Sequence, residues 1–174
     1  MKKLLVLSIC AALSASAFAD VNYSLSIDEP QHHLGDVRVQ FPKSAQAHLD
    51  IKLPSWRTGR YEILNLANGV RYFNPTDKEG NPLKWEKIDH STWRIHMDTP
   101  TEVNVGYQVY ANELGKRARH IDDSHAFIDA SGFFMFSESF RQEPVTVKLE
   151  VPKLWRSVSG MANLNSTNSF KAAN

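Results

Sequence analysis

Cysteine is almost missing from this 174-residue chain: Cys10 is the only one, and it lies in a leader-like segment at the start. Without it the remaining chain has no disulfide to form even in an oxidising compartment, so stability must come from packing. Charge of one sign is missing as well. Taking Lys2 and Lys3 from the 20 basic residues leaves 18 against 19 acidic ones, which is no field for nucleic acid or anionic lipid. The eight glycines are never closer than nine positions apart. That spacing excludes phosphate-cradling loops and the dinucleotide fingerprint. No histidine is followed by another four positions later, so the H-E-x-x-H arrangement of the common zinc hydrolases is absent, and there is no G-x-S-x-G elbow. The first apolar run, Leu4 to Leu13, stops well short of the roughly 20 residues that span a bilayer.

What that run does have is a basic pair before it and small residues after it, ending Ala17-Phe18-Ala19. These are the three parts of a secretory signal. Residues 1–19 are therefore expected to be removed between Ala19 and Asp20, leaving a periplasmic or secreted chain with no membrane anchor. Bulky Ile9 before Cys10 argues against a lipid-modified cysteine. The remaining length suits one ordinary domain.

Beyond the leader, apolar residues recur with period two. Val21, Tyr23, Leu25 and Ile27 alternate with polar partners, as do Val37, Val39 and Phe41, and Leu49, Ile51 and Leu53. Trp93, Ile95 and Met97 repeat the pattern, followed by Val103, Val105, Tyr107 and Val109, and by Val145, Val147, Leu149 and Val151. Each run reads as a half-buried strand, and proline and glycine punctuate the gaps. The expected fold is all-β, a two-layer antiparallel β-sandwich with long loops, occupying residues 20–161. The stretches 61–73 and 115–131 lack a clean period and read as long loops or short helical turns. The Asn- and Ser-rich end, 162–174, reads as frayed or as a junction.

Few residues suggest chemistry. In His120-Ile121-Asp122-Asp123-Ser124-His125, alternate positions on an extended segment point His120 and Asp122 to one face. Two ligands fall short of the three or four that a zinc site needs, so the segment reads as a solvated connector and no metal ligand is assigned. The aromatics Trp56, Tyr61, Tyr72, Phe73, Trp85 and Trp93 offer a platform for a sugar or peptide. Core packing accounts better for Trp93, which is in phase with Ile95 and Met97, whereas Trp56 and Tyr61 flank a turn. The run Phe133, Phe134, Met135, Phe136 is apolar on both faces of an expected strand, so one pair is left to meet another surface.

Leu53-Pro54-Ser55-Trp56 with Gly59 and Tyr61, Tyr107-Gln108-Val109-Tyr110-Ala111, and the segment 120–136 together form a pattern. It resembles the N-terminal domain of the glycyl aminopeptidase family of zinc metallopeptidases, peptidase family M61. The L-P-x-W-x-x-G-x-Y string is its most specific part, although Thr58 and Arg60 stand where the family usually has Pro and Ser. The resemblance implies an all-β domain ahead of a thermolysin-like catalytic domain that carries the zinc and the peptide substrate. It offers no catalytic residue or cofactor to any position here. Trp56 and Tyr61 become candidates for the wall of a substrate cleft, and Phe133 to Phe136 for the face that meets the catalytic domain. Residues 162–174 then read as the junction toward that missing domain. The alternatives are an autonomous periplasmic β module that binds a peptide or glycan around Trp56 and Tyr61 and, weakest of the three readings, a small metalloenzyme built on His120 and His125.

Overall fold

A computed structural model describes residues 20–56, 63–114, 119–164 and 168–172. Among these described residues twelve strands form in chain order: β1 (Val21–Ser26), β2 (Leu34–Ser44), β3 (His48–Lys52), β4 (Val70–Thr76), β5 (Trp85–Lys87), β6 (Thr92–His96), β7 (Thr101–Tyr110), β8 (His120–Ile121), β9 (Ala126–Phe127), β10 (Val145–Glu150), β11 (Ala162–Asn163) and β12 (Ser169–Ala172). Seven of them make one sheet in the order β11-β12-β10-β1-β2-β7-β4. A second sheet is β3-β6-β5, and β8 pairs with β9 alone.

The alternation seen in the sequence is the alternation of burial. In β7, Val103, Val105, Tyr107 and Val109 are buried while their neighbours are not, and β3 buries Leu49 and Ile51. These inward rows from both sheets share a single hydrophobic core with Leu25, Val37, Phe41 and Ile95. The molecule is an all-β sandwich.

Pairing is antiparallel except between β1 and β10, which run parallel with Val21 opposite Val145. That parallel pair needs the long connection it has, because parallel neighbours cannot be joined by a tight turn.

Three expectations need correction. Residues 162–172 are not frayed among the described positions: β12 pairs with β10, and its Phe170 is buried. Part of the stretch read as loop, 70–73, is the start of β4. There a register irregularity between Arg71 and Asn74 and a positive φ of 52° at Tyr72 break the period that would have revealed a strand. The third correction concerns 133–136, described below.

Candidate functional site

The run Phe133 to Phe136 is not one extended strand. Asp129 caps a single helical turn, Ala130–Phe133, by accepting from the Ser131 amide at 3.2 Å; the chain then extends through Phe134. Only Phe136 joins a sheet, exchanging two backbone hydrogen bonds with Lys52 of β3 at 2.9 and 3.0 Å. Burial still alternates: Phe133 and Met135 are fully buried, whereas Phe134 and Phe136 are half-buried.

Two tyrosines of the large sheet hold this segment. The Tyr107 hydroxyl donates to the Phe133 carbonyl at 2.8 Å and accepts from the Met135 amide at 2.9 Å. The Tyr23 hydroxyl donates to the Met135 carbonyl at 2.9 Å. Burial pushes both phenols above the ordinary tyrosine range, so each stays a protonated donor. Residues 133–136 thus bridge the layers, tied to β1 and β7 by hydroxyls and to β3 by backbone.

Two glycines make the bridge fit. A Cβ on Gly35 would stand 2.7 Å from Leu25 Cδ1 and 3.2 Å from Phe133 Cε1. One on Gly69 would stand 2.2 Å from the guanidinium of Arg119. Arg119 is buried and donates to the carbonyls of Leu66 and Gly132 at 2.8 and 3.0 Å, linking the turn before β4 to the turn before Phe133.

The outward side of the bridge lines a groove of about 650 Å³. Trp56, Pro54, Phe136, Phe140 and Arg141 form its walls, with Tyr23 and Phe41 beneath. Trp56 is 56% exposed, so the groove brings together a candidate from each of the two sequence-derived surfaces. Tyr61 lies outside the described residues.

Around Phe136 the charge is arranged rather than diffuse. The Lys52 ammonium and the Arg141 guanidinium lie 5.3 and 5.8 Å from the ring centroid, and both pair with Glu138, at 2.9 and 3.3 Å. The hydrogen bond from Lys52 holds the Glu138 carboxyl below its usual range, with Arg141 contributing. The arrangement presents an apolar trough with charged side chains at its rim, suited to an extended chain.

The other aromatics separate. Trp93 is buried, stacked on Phe73 with centroids 5.5 Å apart, while Tyr72 is 79% exposed on the far sheet face. The tyrosine hydroxyls and Arg119 were missed from sequence. A polar-tipped tyrosine at an inward position of an aliphatic strand was the available signal, since a buried hydroxyl needs a partner.

The described residues form a mixed β sandwich whose layers are bridged by a tyrosine-held segment beside an open apolar groove. The chain belongs to the Peptidase M61 N-terminal domain family, which matches residues 22–174. Its structure is similar to that of an aminopeptidase N family protein from Idiomarina loihiensis, with a TM-score of 0.80 and 23% identity, a likeness that shows the fold. The match covers 88% of this chain and 27% of that one, so the chain spans little more than a quarter of its relative. An M1 zinc metallopeptidase from Deinococcus radiodurans matches at a TM-score of 0.46 and 13% identity, over 87% of this chain and 37% of that one. No curated protein matches.

Proposed function

We propose that this chain is the non-catalytic β domain of an exported glycyl-aminopeptidase-like metallopeptidase, delivered to the periplasm or beyond by residues 1–19. It braces a catalytic domain that holds the zinc, and it walls that domain's peptide cleft. The reading is supported by family membership over residues 22–174 and by the leader pattern. One observation carries it furthest: exposed Trp56 and half-buried Phe136, at opposite ends of different arguments, line the same groove. An apolar trough left open on a domain otherwise packed to a full core suits a surface covered in the intact protein.

The test uses the natural reading frame continued through an H-E-x-x-H domain. Trp56→Ser and Phe136→Ser should each lower kcat/KM for a glycyl peptide amide by about tenfold, with the melting temperature of the β domain unchanged in Trp56→Ser and only modestly lowered in Phe136→Ser. The chain from Asp20 onward should itself turn over no substrate. Chelator-sensitive cleavage by that chain, or unchanged kinetics in both variants, contradicts the reading and favours an autonomous binding module.

A further inference from the structure

The hairpin formed by β8 and β9 gathers side chains that the groove does not use. Asp122 Oδ1 builds the turn by accepting from the Ser124 amide, the Ser124 hydroxyl and the His125 amide at 2.8, 2.7 and 3.0 Å. The Ser124 hydroxyl also lies 2.9 Å from His125 Nδ1. His120 Nε2 lies 2.9 Å from Asp122 Oδ2, and the turn folds His125 back so that its Nδ1 lies 3.3 Å from Oδ1. The two imidazole centroids are 5.2 Å apart.

Sequence alternation aligned only His120 with Asp122. The turn adds a third donor, and one ligand atom from each residue falls within 4.8 Å of the others. Tetrahedral ligands about 2.0–2.2 Å from zinc stand about 3.3–3.6 Å from one another, so the three donors lie at most about 1.5 Å beyond that spacing.

His120 supplies a second, separate observation. Its side chain is 7% exposed, and its Nδ1 is buried with no hydrogen-bond partner. Its Nε2 is the atom aimed at Asp122, so a buried ring already holds the coordinating nitrogen in place. The strand carrying it is anchored from behind by His33, whose Nδ1 must donate because the Ile121 carbonyl can only accept. His33 keeps its ring 6.2 Å from that of His120. The mouth of the cluster is open, since the His125 side chain is 58% exposed.

We propose that His120, Asp122 and His125 form a binding site for a divalent first-row transition ion of the zinc type. Two imidazole nitrogens and one carboxylate oxygen bind the ion, and water fills its remaining positions. The nitrogen donors select against calcium and magnesium, which take oxygen. One carboxylate charge offsets half of the ion's. This site lies in the β domain itself.

The chain from Asp20 onward, untagged and stripped with chelator, is titrated with Zn²⁺ by calorimetry and with Co²⁺ by visible absorption. One ion should bind per chain, and Zn²⁺ should raise the melting temperature. His125→Ala, at an exposed position where folding is not at stake, should weaken binding at least about tenfold, as should His120→Gln. His96→Ala, removing an exposed histidine paired with Glu86, should bind like the unaltered chain. Absence of saturable binding overturns the proposal, and so does equal affinity in His125→Ala and His96→Ala.

Discussion

Removing a single oxygen from the core offers a sharp test of how the layers are joined. Tyr107→Phe deletes the hydroxyl that donates to the Phe133 carbonyl and accepts from the Met135 amide. The ring stays, so the transfer energy of the side chain barely changes and no cavity larger than the oxygen opens. What changes is the state of two backbone groups in a wholly buried place. A buried group left without its partner costs about 1–3 kcal/mol. Two of them predict a loss of at least about 2 kcal/mol, a factor of roughly 30 or more in the folding equilibrium. Tyr23→Phe is the internal comparison. It strands only the Met135 carbonyl, and Tyr23 lines the groove, where water can take over, so its expected cost is about 1 kcal/mol. Urea unfolding followed by tryptophan fluorescence reads both. With a slope of about 1–3 kcal/mol per molar, Tyr107→Phe should move the midpoint by about 1–2 M and Tyr23→Phe by well under half of that. A Tyr107→Phe midpoint indistinguishable from the native one, or the reverse order of the two variants, would refute the claim that hydroxyls hold the bridge.

Replacing Phe133 and Met135 together with Ser and Thr should cost several kcal/mol and prevent folding, because both side chains are fully buried. The same replacement of half-buried Phe134 and Phe136 should cost about 1–2 kcal/mol and reduce self-association, read by equilibrium unfolding and sedimentation. Arg94 grips Asp50 through two hydrogen bonds of 2.7 Å, and this hydrogen bonding holds the Asp50 carboxyl below its ordinary value of 3.8. A depressed folded-state pKa stabilises above the unfolded value and loses that benefit as pH falls through the folded one. The stability difference between the native chain and Asp50→Asn should therefore be flat above about pH 5 and shrink on further acidification; a difference that grows toward acid contradicts the assignment.

Much of the architecture was legible because burial on one face leaves a period of two. β1, β2, β3, β6, β7 and β10 all lie where apolar residues alternate, whereas the run 133–136 announced two alternate pairs without saying which would be the buried one. The short or irregular strands were not legible. β5 is exposed at all three residues, and β8, β9 and β11 have two residues each, too few to establish a period. In β4 the irregularity at Tyr72 resets the phase part-way along. β12 carries one buried residue, Phe170, and so left no pattern.

The candidate sites divide in the same way. Local spacing on the chain was enough to single out Trp56, the run 133–136, and His120 with Asp122, because residue type and nearest neighbours carry that information. Only the tertiary structure placed Trp56 and Phe136 on one groove, set Tyr107 against the Phe133 carbonyl, paired β1 with β10 in parallel, and turned His125 toward His120. Each of those outcomes depends on how sheets pack and how a turn closes, and periodicity records which face a residue presents but not what the face will meet.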